Sequence, residues 1–343
     1  MVQLRGGKQP TDRVRRRSDF SPKQYQFLVL LVICFLAASN RAFAFSCSMT
    51  ATAVAFGSVD VTTGSAVNST GTLTLNCSGG PGGKYLLICV SIDGGSAHDG
   101  ISRLMNGPGA AQLRYQLYSD SARTVPWGSW PLSLYGGGYS WTPFSTTSNG
   151  TWMATVYGSA LGSQQTITPG AYTSNLNVYF TYDDHSFANG GSDSGFICPD
   201  GSNKGNSTTS FQATATVPSA CTVGATNLNF GSVGTLASNV DSTSSISVLC
   251  SNTTPYNIGL NAGNGTGATV SNRMMTLSGA TVNYALYSNS GRTSNWGNTV
   301  GTDTVGGTGS GSTQTLTVYG RVPVHSTPAP GTYGDIIVVT VTY

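Results

Sequence analysis

Two stretches of this chain carry the same residues in the same order, and that repetition limits the available folds. Cys47, Phe56-Gly57-Ser58-Val59 and Cys77 open the first stretch; Cys221, Phe230-Gly231-Ser232-Val233 and Cys250 open the second. Tyr115-Gln116-Leu117-Tyr118-Ser119-Asp120 then matches Tyr284-Ala285-Leu286-Tyr287-Ser288-Asn289. Arg123-Thr124 and Trp127-Gly128 match Arg292-Thr293 and Trp296-Gly297, and Val156-Tyr157-Gly158 matches Val318-Tyr319-Gly320. Pro169-Gly170-Ala171-Tyr172 and the run Asn177–Tyr182 answer to Gly331-Thr332-Tyr333 and the run Ile336–Tyr343. One module is written twice, and the second copy closes on the β-branched, apolar run Ile336–Tyr343.

Each module reads as β structure. Val, Thr and Tyr alternate between Gly- and Asn-rich turns, the pattern of half-buried strands. All thirteen acidic residues are Asp, and charged residues make up 8% of the chain. Glu, Lys and Arg are the usual fillers of helix surfaces, so their scarcity argues against helices.

The first 44 residues are expected to be a secretory signal. Arg13, Arg15, Arg16, Arg17 and Lys23 precede an apolar run, Phe27–Ala38, too short to span a bilayer, and Ala42-Phe43-Ala44 fits a small-x-small cleavage site. The arginine cluster lacks the Phe offset of the twin-arginine route. This segment holds eight of sixteen basic residues and two of thirteen acidic ones, so the remainder has 8 − 11 = −3 charges. No basic patch is left for nucleic acid.

Cys34 lies in that segment, leaving Cys47, Cys77, Cys89, Cys198, Cys221 and Cys250. An even count in an exported chain suggests disulfides. Equivalent positions in the repeat predict Cys47–Cys77 and Cys221–Cys250, each closing a loop worth about 3–4 kcal/mol. Cys89 and Cys198 have no counterparts; they pair with each other or remain as free thiols.

The ordered set of an early Cys, F-G-S-V, a second Cys, Y-x-L-Y-S, R-T-x-x-W-G, V-Y-G and P-G-x-Y before a T-V-T-Y strand resembles the spore coat protein U domain family. That family includes subunits of archaic chaperone–usher pili, and the two-module layout looks like a tip adhesin of such a pilus. The resemblance implies immunoglobulin-like β-sandwiches that lack a last strand. A periplasmic pilus chaperone lends one, and at the outer-membrane usher the N-terminal donor strand of the adjacent pilin replaces it. It implies export through the periplasm to the pilus tip on the cell surface, and a role in attachment and biofilm formation.

These expectations assign the chain as follows. Residues 45–206 form an adhesin domain, 207–220 a linker or cis donor strand, and 221–343 a pilin domain lacking its final strand. The acceptor edge is expected at Ile336, Val338, Val339, Val341 and Tyr343, where an apolar run reaches the carboxyl terminus. An open edge of this kind is a liability unless another chain supplies the strand. Phe211, Ala213, Ala215 and Val217 alternate with polar residues ahead of Cys221. They form either a cis donor for the first module or the first strand of the second. With cleavage after Ala44, only Phe45-Ser46 precede Cys47, too few for a donor, so the subunit is expected to receive a strand and give none. Asp183–Ser210, rich in Gly, Asn, Ser and Asp, reads as loop and linker.

The modules differ most between Trp-Gly and Val-Tyr-Gly. There the first carries Trp130, Leu132, Leu134, Tyr135, Tyr139, Trp141 and Phe144, set among Gly and Pro with no charged residue over 128–144. Exposed apolar patches mark interaction sites, so these seven are the expected contact set for a host or abiotic surface. Stacking on sugars by a pilus lectin is the alternative, and a structural coat or pilus subunit without target binding a third. Trp127, matched by Trp296, and Trp152 read as core. No cofactor, metal site or catalysis is expected. His98, His185 and His325 show no ligand spacing, and neither a C-x-x-C nor a G-x-S-x-G motif occurs. Arg123 and Arg292 recur in both modules and read as structural.

Overall fold

The alternating runs form strands throughout, and helical structure among the described residues is limited to two 3-10 turns. The computed structural model describes residues 46–78, 85–128, 144–147, 150–183 and 205–343. The first copy holds β1 (Ser46–Ala51), β2 (Val54–Ser58), β3 (Val67–Ser78), β4 (Tyr85–Ile92), β5 (Ala97–His98), β6 (Arg103–Asn106), β7 (Gln112–Tyr118), β8 (Phe144–Thr147), β9 (Gly150–Ala160) and β10 (Gly170–Asp183). β11 (Gly205–Val217) follows. The second copy holds β12 (Cys221–Ala225), β13 (Val240–Cys250), β14 (Pro255–Leu260), β15 (Arg273–Leu277), β16 (Ala280–Tyr287), β17 (Val305–Thr308), β18 (Gln314–Val322) and β19 (Val339–Thr342).

Residues 45–343 form one compact unit containing two separate hydrophobic cores. The first draws Leu73 and Leu75 from β3, Tyr115 and Leu117 from β7, Val90 and Ile92 from β4, and Tyr172, Leu176 and Val178 from β10. The second draws the equivalent Ile246, Val248, Tyr284, Leu286, Ile258 and Leu260, with Tyr333, Ile337 and Val339 packed against it. Along β3, β13 and β18 buried positions alternate with less buried ones, as a two-residue repeat requires.

The disulfides predicted from the repeat are present. Cys47 faces Cys77 across β1 and β3, and Cys221 faces Cys250 across β12 and β13, each pair with Cα atoms 4.1 Å apart. Cys89 is also in a disulfide; its expected partner, Cys198, lies outside the described residues, as does the expected signal segment.

The repeated Trp and Arg residues hold the strands together. Trp127 and Trp296 are buried, and their indole N–H groups donate to Val90 O (3.3 Å) and Ile258 O (2.8 Å). Arg123 and Arg292 sit at left-handed turns (φ +57° and +54°). They donate to Gly158 O and Gly320 O and lie over the rings of Tyr157 and Tyr319. Trp152 is half-buried against the first core.

β11 belongs to the first core. It pairs antiparallel with β10 over thirteen residue pairs, from Gly170 opposite Val217 to Tyr182 opposite Gly205, and parallel with β2 on its other side. Phe211, Ala213, Ala215 and Val217 are all buried there. The stretch Gly205–Ser210, read from composition as linker, is strand. Its Gly, Asn and Ser residues have turn propensity, but the ladder with β10 supplies main-chain partners that override it.

Because Phe211 fills the core opposite Leu176, Phe211→Ala should destabilise the first module by about 3–5 kcal/mol. Urea denaturation should show that loss in the transition of the first core, with the transition of the second unmoved.

Candidate functional site

The two copies present the same walls with different occupancy. In the first, Val54, Phe56, Val59, Tyr172, Leu176 and Val178 are buried where β2 and β10 flank β11. Their counterparts are Leu228, Phe230, Val233, Tyr333, Ile337 and Val339. Five of these are only partly buried. Val233 is 44% exposed where Val59 is 2% exposed. Two adjoining hollows of about 540 and 510 Å³ run along this face and share Leu228, Phe230, Met275 and Tyr333 as walls.

The missing neighbour accounts for the local backbone. β19 pairs with β14 through Leu260–Val339 to Asn257–Thr342, and it ends its sheet. Its counterpart β10 pairs with β4 on the equivalent side and with β11 on the other. Residues 331–338, equivalent to the first half of β10, form no strand, and neither do 228–232, equivalent to β2. A strand needs a paired neighbour, and among the described residues none lies on that side of 331–338.

The groove floor is nevertheless well built. Phe230 meets Tyr284 edge to face at 6.1 Å, the same arrangement as Phe56 and Tyr115 in the completed copy. Arg273 is fully buried. It donates to Asn261 O (2.8 Å), Val270 O (2.6 Å), Leu260 O (3.0 Å) and Trp296 O (2.7 Å). A buried charge is tolerated when hydrogen bonds satisfy it. Asn261 in turn holds the free edge: its Oδ1 accepts from Val338 N (2.9 Å), and its N–H donates to Val338 O. Arg103 plays the same part in the first copy, donating to Asp93 O, Ile92 O, Trp127 O and Gln116 Oε1.

The sequence reasoning missed these two arginines. The available signal was their shared placement two residues before a Met and shortly before the Tyr-x-Leu-Tyr strand (Arg103 and Met105, Arg273 and Met275).

The structure distributes the expected edge residues over two faces. Val339 and Val341 point inward and pack on the core, together with Ile337, which sequence reasoning left out. Ile336 and Val338, on the other parity, are 67% and 53% exposed, and Tyr343, beyond the end of β19, is 58% exposed. Alternate side chains leave a strand on opposite faces, so a contiguous apolar run cannot all line one groove.

Of the expected contact set, Trp130, Leu132, Leu134, Tyr135, Tyr139 and Trp141 lie outside the described residues. Phe144 opens β8, where its backbone is paired with Ile88.

Asp335 lines the groove beside Ile337. Its Oδ2 accepts from the Tyr284 hydroxyl at 2.7 Å and its Oδ1 from Asn264 N at 2.8 Å. Burial pushes the Tyr284 pKa up, and the hydrogen bond to Asp335 adds to the shift.

The family model of the Spore Coat Protein U domain matches residues 33–179 and 207–340. Among solved structures, the chain is similar to one from the CsuC–CsuE chaperone–tip adhesion subunit pre-assembly complex of archaic Csu pili of Acinetobacter baumannii. The identity is 18%, the TM-score 0.50, and the match covers 87% of this chain and 100% of that one. The CupB6 tip adhesin of Pseudomonas aeruginosa is similar at 13% identity and a TM-score of 0.35, covering 86% and 94%. CfaE, the adhesive subunit of CFA/I fimbria of enterotoxigenic Escherichia coli, follows at 14% and 0.26, covering 48% and 46%. At these identities the likeness is one of fold. No curated protein matches the chain in sequence.

The raised Tyr284 pKa fixes the sign of an alkaline effect. The folded state holds the phenol proton above the unfolded value of about 10, so the associated stability is intact below about pH 10 and declines as pH rises past it. The urea midpoint of the second module should therefore fall more steeply above about pH 10 in the native protein than in Tyr284→Phe.

Proposed function

The chain belongs to the spore coat protein U domain family, and from that membership we propose that it is the adhesive tip subunit of a chaperone–usher pilus. One observation carries the reading. The groove that β11 closes in the first copy recurs in the second with equivalent walls and, among the described residues, no strand in it.

In this reading residues 45–217 are the adhesive domain, completed in cis by β11, and 221–343 are the docking domain. A periplasmic chaperone first occupies the second groove. At the outer-membrane usher, the N-terminal donor strand of the adjacent pilin replaces it. Each main-chain hydrogen bond so formed contributes about 0.5–1.5 kcal/mol net. Each large apolar anchor contributes about 1.5–3 kcal/mol more. A subunit with one closed groove and one open groove is suited to the end of a fibre, where it needs a neighbour on one side. Its place is then the pilus tip, outside the cell.

Target contact is assigned to Trp130, Leu132, Leu134, Tyr135, Tyr139, Trp141 and Phe144. A run of large apolar residues without charge suits a host or abiotic surface better than a sugar, whose hydroxyls call for Asp, Asn or Arg beside the ring. Attachment of this kind is the first step of biofilm formation.

The assembly half is tested by periplasmic expression of the full chain. Soluble monomer is expected with a pilus chaperone or with a donor peptide fused to the chain, and aggregation or degradation without either. Equal recovery in all three cases would remove the strand-acceptor reading. For the adhesive half, assembled pili carrying Trp130→Ser, Leu134→Ser and Trp141→Ser together should lose most of their binding to polystyrene. Undiminished binding would take the contact surface elsewhere.

A further inference from the structure

The two grooves agree at three inward positions of the edge strand and differ at one. On β10, Leu176, Ser174, Tyr172 and Gly170 stand opposite Phe211, Ala213, Ala215 and Val217. The repeated Pro-Gly-x-Tyr maps them onto Ile337, Asp335, Tyr333 and Gly331. Leu becomes Ile, and Tyr and Gly are kept. Ser174 alone is replaced by a residue of different chemistry, an acid.

Asp335 occupies the place of Ser174 in detail. Ser174 is fully buried and its Oγ accepts from Ser96 N at 3.0 Å, just after the turn at Gly95. Asp335 Oδ1 accepts from Asn264 N at 2.8 Å, just after the turn at Gly263. Gly263 has φ +84°, and a Cβ there would collide with Asp335 Oδ2, as one at Gly95 would with Ser174 Oγ. Tyr284 O–H and the Ile336 amide complete its present donors.

A strand lying in this groove in the register of β11 would seal Asp335 from water. A carboxylate has about four acceptor positions, and three donors are in place. The residue facing it across an antiparallel pair has its Cβ about 5 Å away. A large apolar side chain there would remove the last water without supplying a donor, and an incompletely partnered buried charge is costly. A Ser or Thr hydroxyl would supply the missing bond.

The geometry points to Asp335 as the residue that selects the docking strand and sets its register. The occupant is an extended segment of another chain, with a large apolar residue facing Ile337 and a Ser or Thr facing Asp335. A slip of two residues keeps the same face but sets the apolar anchor against the carboxylate, so one register is singled out. This inference rests on the strand-acceptor reading.

The test uses the full chain and three synthetic peptides: the sequence of Gly205–Val217, the same with Ala213→Ser, and the same with Ala213→Leu. The Ser peptide should bind tightest and the Leu peptide at least about tenfold more weakly. In Asp335→Asn protein, which keeps the side-chain size and removes the charge, that ratio should fall below about threefold. Peptides that bind the native protein without discrimination would overturn the selection by Asp335 and leave the groove an acceptor. So would an undiminished ratio in Asp335→Asn, which would make the selection one of size. Failure of all three peptides to bind would overturn the acceptor reading and this inference with it.

Discussion

Main-chain N–H and C=O groups along a strand must find partners or water, and one side of one strand decides how this protein is organised. β10 and β19 are the same strand in two copies, each paired on one side, with β4 and β14. On the other side β10 has thirteen residue pairs with β11, and β19 has none among the described residues. The remaining differences near the groove follow from that one. β10 runs for fourteen residues and β19 for four. Val54–Ser58 is a strand because β11 lies beside it, whereas 228–232 is not. Removal of the same strand leaves Phe230 and Tyr333 partly uncovered.

An uncovered core tends to collapse, and the second copy resists this with polar anchors and a cross-link. Cys221–Cys250 pins β12 to β13 at one end. Arg273 joins the backbone at Leu260, Asn261, Val270 and Trp296, four points that apolar contact alone would leave free to shift. Asn261 passes that restraint on to Val338. Asp335 and Tyr284 link the edge to β16 across the groove. Buried hydrogen bonds are directional, so they fix the geometry of the groove walls more tightly than apolar contact does.

The architecture was legible in the sequence where the signal was repetition. Equivalent positions predicted both disulfides and the structural tryptophans, and alternation ahead of Cys221 identified the inward face of β11. What escaped depended on pairing partners or on parity. Gly205–Ser210 has turn-forming composition and becomes strand because β10 lies beside it. The run Ile336–Tyr343 is apolar at adjacent positions, so composition could not tell which parity faces the core. The buried cation that matters, Arg273, is followed by Met274 and Met275, and a lone Arg in a polar, turn-rich neighbourhood reads as solvated surface. Its match to Arg103 marks it as a repeated position, and the four carbonyl oxygens that converge on it give the reason.

The closed groove and the open one also differ in how their strands are supplied. β11 is continuous with the chain it completes, so its docking is intramolecular and independent of protein concentration. Three residues, Pro218 to Ala220, separate it from β12. Pro218 has no N–H to extend a ladder, and Ser251 catches this joint, accepting from Ala220 N (2.9 Å) while its own N–H donates to Ala220 O. Asn252 Nδ2 donates to Thr166 O, tying the same corner back to the first copy. The strand is therefore held on the first core at the point where the second begins. Among the described residues β19 has β14 as its neighbour on one side and no strand on the other, while β11 lies between β10 and β2.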